Sequence, residues 1–191
     1  WDFRTIILYM HDEISKAMLA RSMAQFHSFG IVYLKQVLKK HAELRVHLDE
    51  NIPTDPDMLF SLHPTWQEMT ACIVGIQGMI NAFKAAGKTH LKGTHLVNES
   101  VQLFENSMPD LKNIRDMLTH MDEYLHSEGR MQPDPSNLKP FHVSSSDGGK
   151  ELIIGWTKQE YRIDFFELHE SFLKVELVMQ TFFKKNEIAY G

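Results

Sequence analysis

Arg115, Asp116 and His120 stand within two turns of one another in a stretch of helical pattern, and their types are those that hold anionic charge and move protons. A guanidinium stays charged and donates through a planar fork, while an imidazole titrates near neutral pH. On a helix, Asp116 and His120 are an i,i+4 pair on one face, so the carboxylate can orient the imidazole or hold its proton. Arg115 and His120 then point about 140° apart, at about 100° per residue. Between them runs an apolar stripe of Leu111, Ile114, Leu118, Met121 and Leu125, whose three- and four-residue steps mark a buried face. The helix is predicted to begin near Ser107, to carry Pro109 and Asp110 in its first turn, and to stop at Gly129.

Other chemistries find less support. There are 11 histidines, but His41 and His47, His90 and His95, and His120 and His126 do not share helical faces. Glu123-x-x-His126 has the spacing of a di-iron bundle ligand pair, yet no second copy exists. Neither His-Glu-x-x-His nor Gly-x-Ser-x-Gly occurs. No structural metal and no cofactor is expected. Asp147-Gly148-Gly149-Lys150 lacks the spacing and the following helix of a phosphate loop. The single cysteine, Cys72, lies in an apolar run and reads as a buried hydrophobe.

The surrounding elements are mostly helical. Residues 1–10 fit a strand or an early helical turn equally. From Asp12 a long helix carries Ile14, Met18, Phe26, Phe29, Leu34, Val37 and Leu38 on its apolar stripe. Gly30 inside it costs about 1 kcal/mol against alanine, so a tight helix contact or a kink is expected there. Its basic end, Lys35, Lys39, Lys40, His41, Arg45 and His47, reads first as a solvated face and second as an RNA-backbone patch. Pro53 and Pro56 mark a loop. A helix then starts near His63-Pro64 and ends at Gly87, with small residues Ala71, Gly75, Gly78 and Ala82 along one side. These predict intimate packing, at a subunit interface or inside the bundle. A further helix spans 96–105.

After an irregular, proline-rich crossing at 131–140 the pattern changes. Phe141–Ser144 and Glu151–Trp156 read as strands of a hairpin, turning through Ser145–Gly149. The last helix, 164–185, presents Phe165, Leu168, Phe172, Val175, Val178, Met179 and Phe182. The expected architecture is mainly α: a helical bundle of about four or five helices with a small β-hairpin before the C-terminal helix. Residues 1–191 are expected to form a single domain, with 1–130 the bundle, 138–157 the hairpin and 164–185 the closing helix.

At 191 residues and 43% hydrophobic, the chain can bury a good core. Its net charge of −5 disfavours a non-specific nucleic-acid coat but leaves room for a local phosphate site. One cysteine excludes a disulfide framework. No apolar run is expected to reach a membrane span and no signal peptide is recognised, which together fit the cytoplasm. Starting at Trp1, the chain reads as trimmed or processed, with whatever lies upstream unseen.

Arg115-Asp116-x-x-x-His120 resembles the R-x4-6-H motif of HEPN domains at its shortest spacing. Met121-Asp122-Glu123-Tyr124-Leu125 followed by Gly129 is similar to the H-F-D-E-Y-L…G run of some bacterial members. About twenty residues carry the resemblance; Asp116 stands where the family often has asparagine. It implies a dimerising helical bundle and a metal-independent endoribonuclease or RNA-binding protein of toxin–antitoxin or defence type. It further implies His120 as general acid or base and Arg115 as stabiliser of the phosphorane, with Asp116 orienting His120 and raising its pKa and with Asn113 and Tyr124 as neighbours. Expected partners are a second copy of the chain, RNA, and a cognate antitoxin or other protein, with no membrane. A non-catalytic helical dimer serving as an interaction module is the alternative.

Overall fold

The computed structural model describes residues 3–50, 61, 63–125, 141–156 and 159–189. The chain there is mainly α-helical, with a small antiparallel sheet before the last helix. In order come α1 (Phe3–Asp49), α2 (Trp66–Ala86), α3 (Thr94–Ser107), α4 (Leu111–Thr119), α5 (Met121–Leu125), β1 (His142–Ser146), β2 (Glu151–Trp156), β3 (Gln159–Asp164) and α6 (Phe165–Lys185).

The ambiguous N-terminus is helical, since α1 begins at Phe3 and runs to Asp49. Gly30 lies inside it because α2 crosses there. A Cβ on Gly30 would come 2.8 Å from the Ile76 nitrogen, and one on Gly75 would collide with the backbone of Gly30. Gly78 sits against the Phe26 ring, and Ala82 shares a groove with Ser15, Met18, Leu19 and Ser22 of α1. The glycines of the small-residue stripe are thus packed against α1 of the same chain, while Ala82 borders an open groove beside it.

The N-terminus of α2 is fixed by a capping box. Thr65 Oγ1 accepts from Glu68 N at 3.2 Å, and Thr65 N donates to Glu68 Oε2 at 2.7 Å. Pro64 therefore precedes the cap instead of opening the first turn. Lys40 of α1 completes the junction, 2.9 Å from Glu68 Oε1. Burial pushes the Glu68 carboxyl up, but Lys40 and the Thr65 cap together hold it below its ordinary value.

Contrary to the sequence expectation, α2 is long and apolar enough, at a mean hydropathy of 1.2, to cross a membrane by length and composition. In the fold that apolarity goes into the core: Cys72, Ile73, Ile76, Met79, Ile80 and Phe83 are fully buried. Burial also pushes the Cys72 thiol far up, which makes it a poor nucleophile.

The predicted hairpin is the first half of a three-stranded sheet ordered β1-β2-β3. Gly148 and Gly149, at φ 62° and 83°, make the turn between β1 and β2. Leu152, Ile154 and Trp156 alternate onto the buried face. β3 escaped the sequence reading because Gln159-Glu160-Tyr161-Arg162 is polar, as the half-wet edge of a sheet permits. Asp164 ends β3 and caps α6, accepting from Phe166 N and Glu167 N at 2.8 and 3.2 Å. Phe165, Leu168, Phe172, Val175, Met179 and Phe182 then bury as the periodicity requires, while Val178 is half-buried. One apolar cluster joins side chains of the helices and the sheet.

Candidate functional site

The motif does not lie on one continuous helix. Ser107 closes α3, its hydroxyl bonded to the Phe104 carbonyl at 2.9 Å. α4 then starts at Leu111, held to the sheet where Asp110 Oδ2 accepts from Arg162 N at 3.1 Å. α4 stops at Thr119, and His120 sits outside helical geometry at φ −125°, ψ 35°. Two local forces stop it. The Thr119 hydroxyl engages the Arg115 and Asp116 carbonyls, each at 3.0 Å, a side-chain bond that weakens the last turn. Tyr124 meanwhile anchors α5 in an aromatic cluster, stacked on Phe141 and tilted against Trp156. The expected helix end at Gly129 falls outside the described residues.

This break changes the partners of the motif residues. The predicted Asp116–His120 pair does not form. Asp116 Oδ2 instead accepts from the Tyr124 hydroxyl at 3.3 Å, and His120 Nδ1 lies 3.1 Å from Glu123 Oε1. An i,i+4 pairing needs helical backbone through its second member, and His120 has left it. Glu123 is the neighbour that sequence reasoning passed over; its i,i+3 spacing to His120 was the available signal. Both side chains are nearly half exposed, at 47% and 45%, so the pair positions the ring more than it stabilises the fold.

Arg115 is half-buried on α4, beside the buried Ile114, and its Nε is shielded from water with no hydrogen-bond partner among the described residues. A buried donor without a partner is costly, and His47 Nδ1 and Thr70 Oγ1 are in the same state elsewhere in the chain. Asn113 is half-buried. Tyr124 is buried, and its hydroxyl works as an internal strut to Asp116.

The best-formed grooves among the described residues, of about 240 to 430 Å³, are not lined by Arg115, Asp116 or His120. No group of three or more His, Cys, Asp or Glu side chains among the described residues is placed to hold a metal ion. Of the basic run on α1, Lys40 is spent on Glu68, and His41 is buried with Nδ1 3.3 Å from Gly148 O and its ring against Phe166. No family model, curated protein or solved structure matches the chain.

Proposed function

We propose that the chain is a HEPN-like, RNA-directed protein whose motif surface on α4 and α5 meets a phosphate. The observation that carries this reading is the pairing of a shielded, unpartnered Arg115 Nε with an exposed His120 at the helix break. A phosphate oxygen would satisfy the first once the half-buried Arg115 side chain turns outward, and a ring held by Glu123 can exchange a proton at its other nitrogen. In a homodimer, a two-fold axis beside α4 would let one chain's His120 face the other's Arg115. That contact would have to use a surface other than the small-residue stripe, whose glycines α1 already covers.

The purified protein, in chelator and without added metal, is expected to cleave single-stranded RNA to 2′,3′-cyclic phosphate ends. His120→Ala and Arg115→Ala should each lower the rate by at least a hundredfold, the lower range of what general acid–base groups contribute. A second reading, an interaction module without catalysis, is favoured by one observation: Asp116 is tied to Tyr124 and leaves His120 to a surface glutamate. Absence of both cleavage and binding across a broad RNA panel would decide for it.

A further inference from the structure

α3 and α6 lie against each other and leave their outer apolar side chains uncovered. Leu96 and Leu103 on α3 are 44% and 65% exposed, and Leu173 and Leu177 on α6 are 47% and 67% exposed. Between the two helices run grooves of about 370 and 290 Å³, joined at Val178, which lines both. Phe104 and Phe182 form part of their apolar lining. Ser100 and Ser107 also line the α3 side, their hydroxyls already bonded to the Val97 and Phe104 carbonyls, so they ask nothing of an occupant. With Gly93 at one end, these small residues let another backbone approach closely.

The charged lining of the two grooves is basic, although Lys92 and Lys185 also line an adjoining groove with Glu13 and Glu187. Acidic residues outnumber basic ones by 25 to 20 overall, yet the charged side chains lining the two grooves are Lys92, Lys174 and Lys185, with no carboxylate. None of the three holds an ion pair among the described residues. The α3 segment that borders the two grooves, from Gly93 to Ser107, is about 21 Å long at about 1.5 Å per helical residue, room for about four turns of a bound helix.

We infer that the α3–α6 trough is a docking site for an amphipathic helix of a partner protein, with leucine-type residues on one face and acidic residues along its flanks. Apolar anchors at helical spacing would enter the trough, and the flanking carboxylates would meet the three lysines. A second copy of the chain fits less well, because an isologous contact sets the lysine rim against itself. A flat lipid surface would not fill a concave trough. The inference stands apart from the RNA reading, since the trough shares no residue with the α4–α5 motif.

The test uses the full chain and two synthetic helical peptides with one leucine face, flanked in one by glutamates and in the other by lysines. Fluorescence anisotropy is expected to give at least tenfold tighter binding of the glutamate peptide. Leu177→Asp, and Lys174→Glu combined with Lys185→Glu, should each weaken that binding at least tenfold, with thermal unfolding unchanged because these side chains are on the surface. Equal affinity for both peptides, or none for either, overturns the proposal. So does light scattering that shows a dimer dissociated by Leu177→Asp, or sedimentation with phosphatidylglycerol vesicles that the same change abolishes. RNA cleavage by the Leu177→Asp variant should match the unaltered protein, which keeps failure here distinct from failure of the RNA reading.

Discussion

The crossing of α1 with α2 and the turn from α4 into α5 look alike as sequence, since each is a short set of residues at helical spacing that suggests an interface. They end in opposite states. At the crossing, Gly30 and Gly75 bring two backbones together and leave no room between them for another molecule. At the turn, regular helix gives way at His120, Arg115 keeps an unpartnered Nε, and the imidazole faces outward. Small residues gain only by contact, so the nearest long helix of the same chain takes them. Titratable groups lose solvation by burial, so the His120 ring stays at the margin while Arg115 is only half-buried.

The sharpest way to break this contrast is to fill the crossing. Gly75→Leu should destabilise the chain by about 3 kcal/mol or more in urea unfolding, because the obstacle is the Gly30 backbone and cannot rotate away. Helix propensity alone predicts a gain of about 1 kcal/mol. Unchanged or higher stability would therefore show that the two helices do not meet so closely.

A smaller effect tests the polar pin beside the crossing. The Glu68 carboxyl is held below its ordinary value of 4.5 in the folded chain, so its contribution is present above about pH 4.5 and is lost as pH falls through the lower, folded value. Stability measured from pH 6 down to pH 3 should drop less steeply in Glu68→Gln than in the unaltered protein. Identical slopes would remove Glu68 from the account.

The smallest effects belong to the motif. Tyr124→Phe deletes the bond to Asp116 and should cost about 1 kcal/mol. His120→Ala should change stability by no more than about 0.5 kcal/mol, as expected of an exposed side chain. Thermal and urea unfolding of the two variants would check this pair. If His120→Ala were the more destabilising, His120 would be a structural residue and the motif would no longer contrast with the crossing.

Much of the helical part was legible. Period-3.6 apolar patterns placed α2 and α6 to within a few residues and the body of α1, although α1 starts at Phe3, well before the expected Asp12, and Asp-Gly-Gly marked the β1–β2 turn. β3 was not legible, because a polar edge strand carries little apolar alternation. Nor was the division of the motif helix, since Leu118, Met121 and Leu125 continue the helical period across a break that Thr119 and the Tyr124 anchor impose.

By itself the sequence determined most of the buried side chains of α2 and α6, because hydrophobic burial acts residue by residue along a helix, but on α1 it misplaced Ile14, Met18 and Phe29, which are exposed. It also placed Arg115, Asp116 and His120 within two turns of each other. The tertiary structure alone decided who meets whom. It matched Gly30 to Gly75, gave Asp116 to Tyr124 and His120 to Glu123, and left the α3–α6 trough uncovered. The physical reason is that partners are chosen by the packing of distant segments, while periodicity records only which face of each segment turns inward.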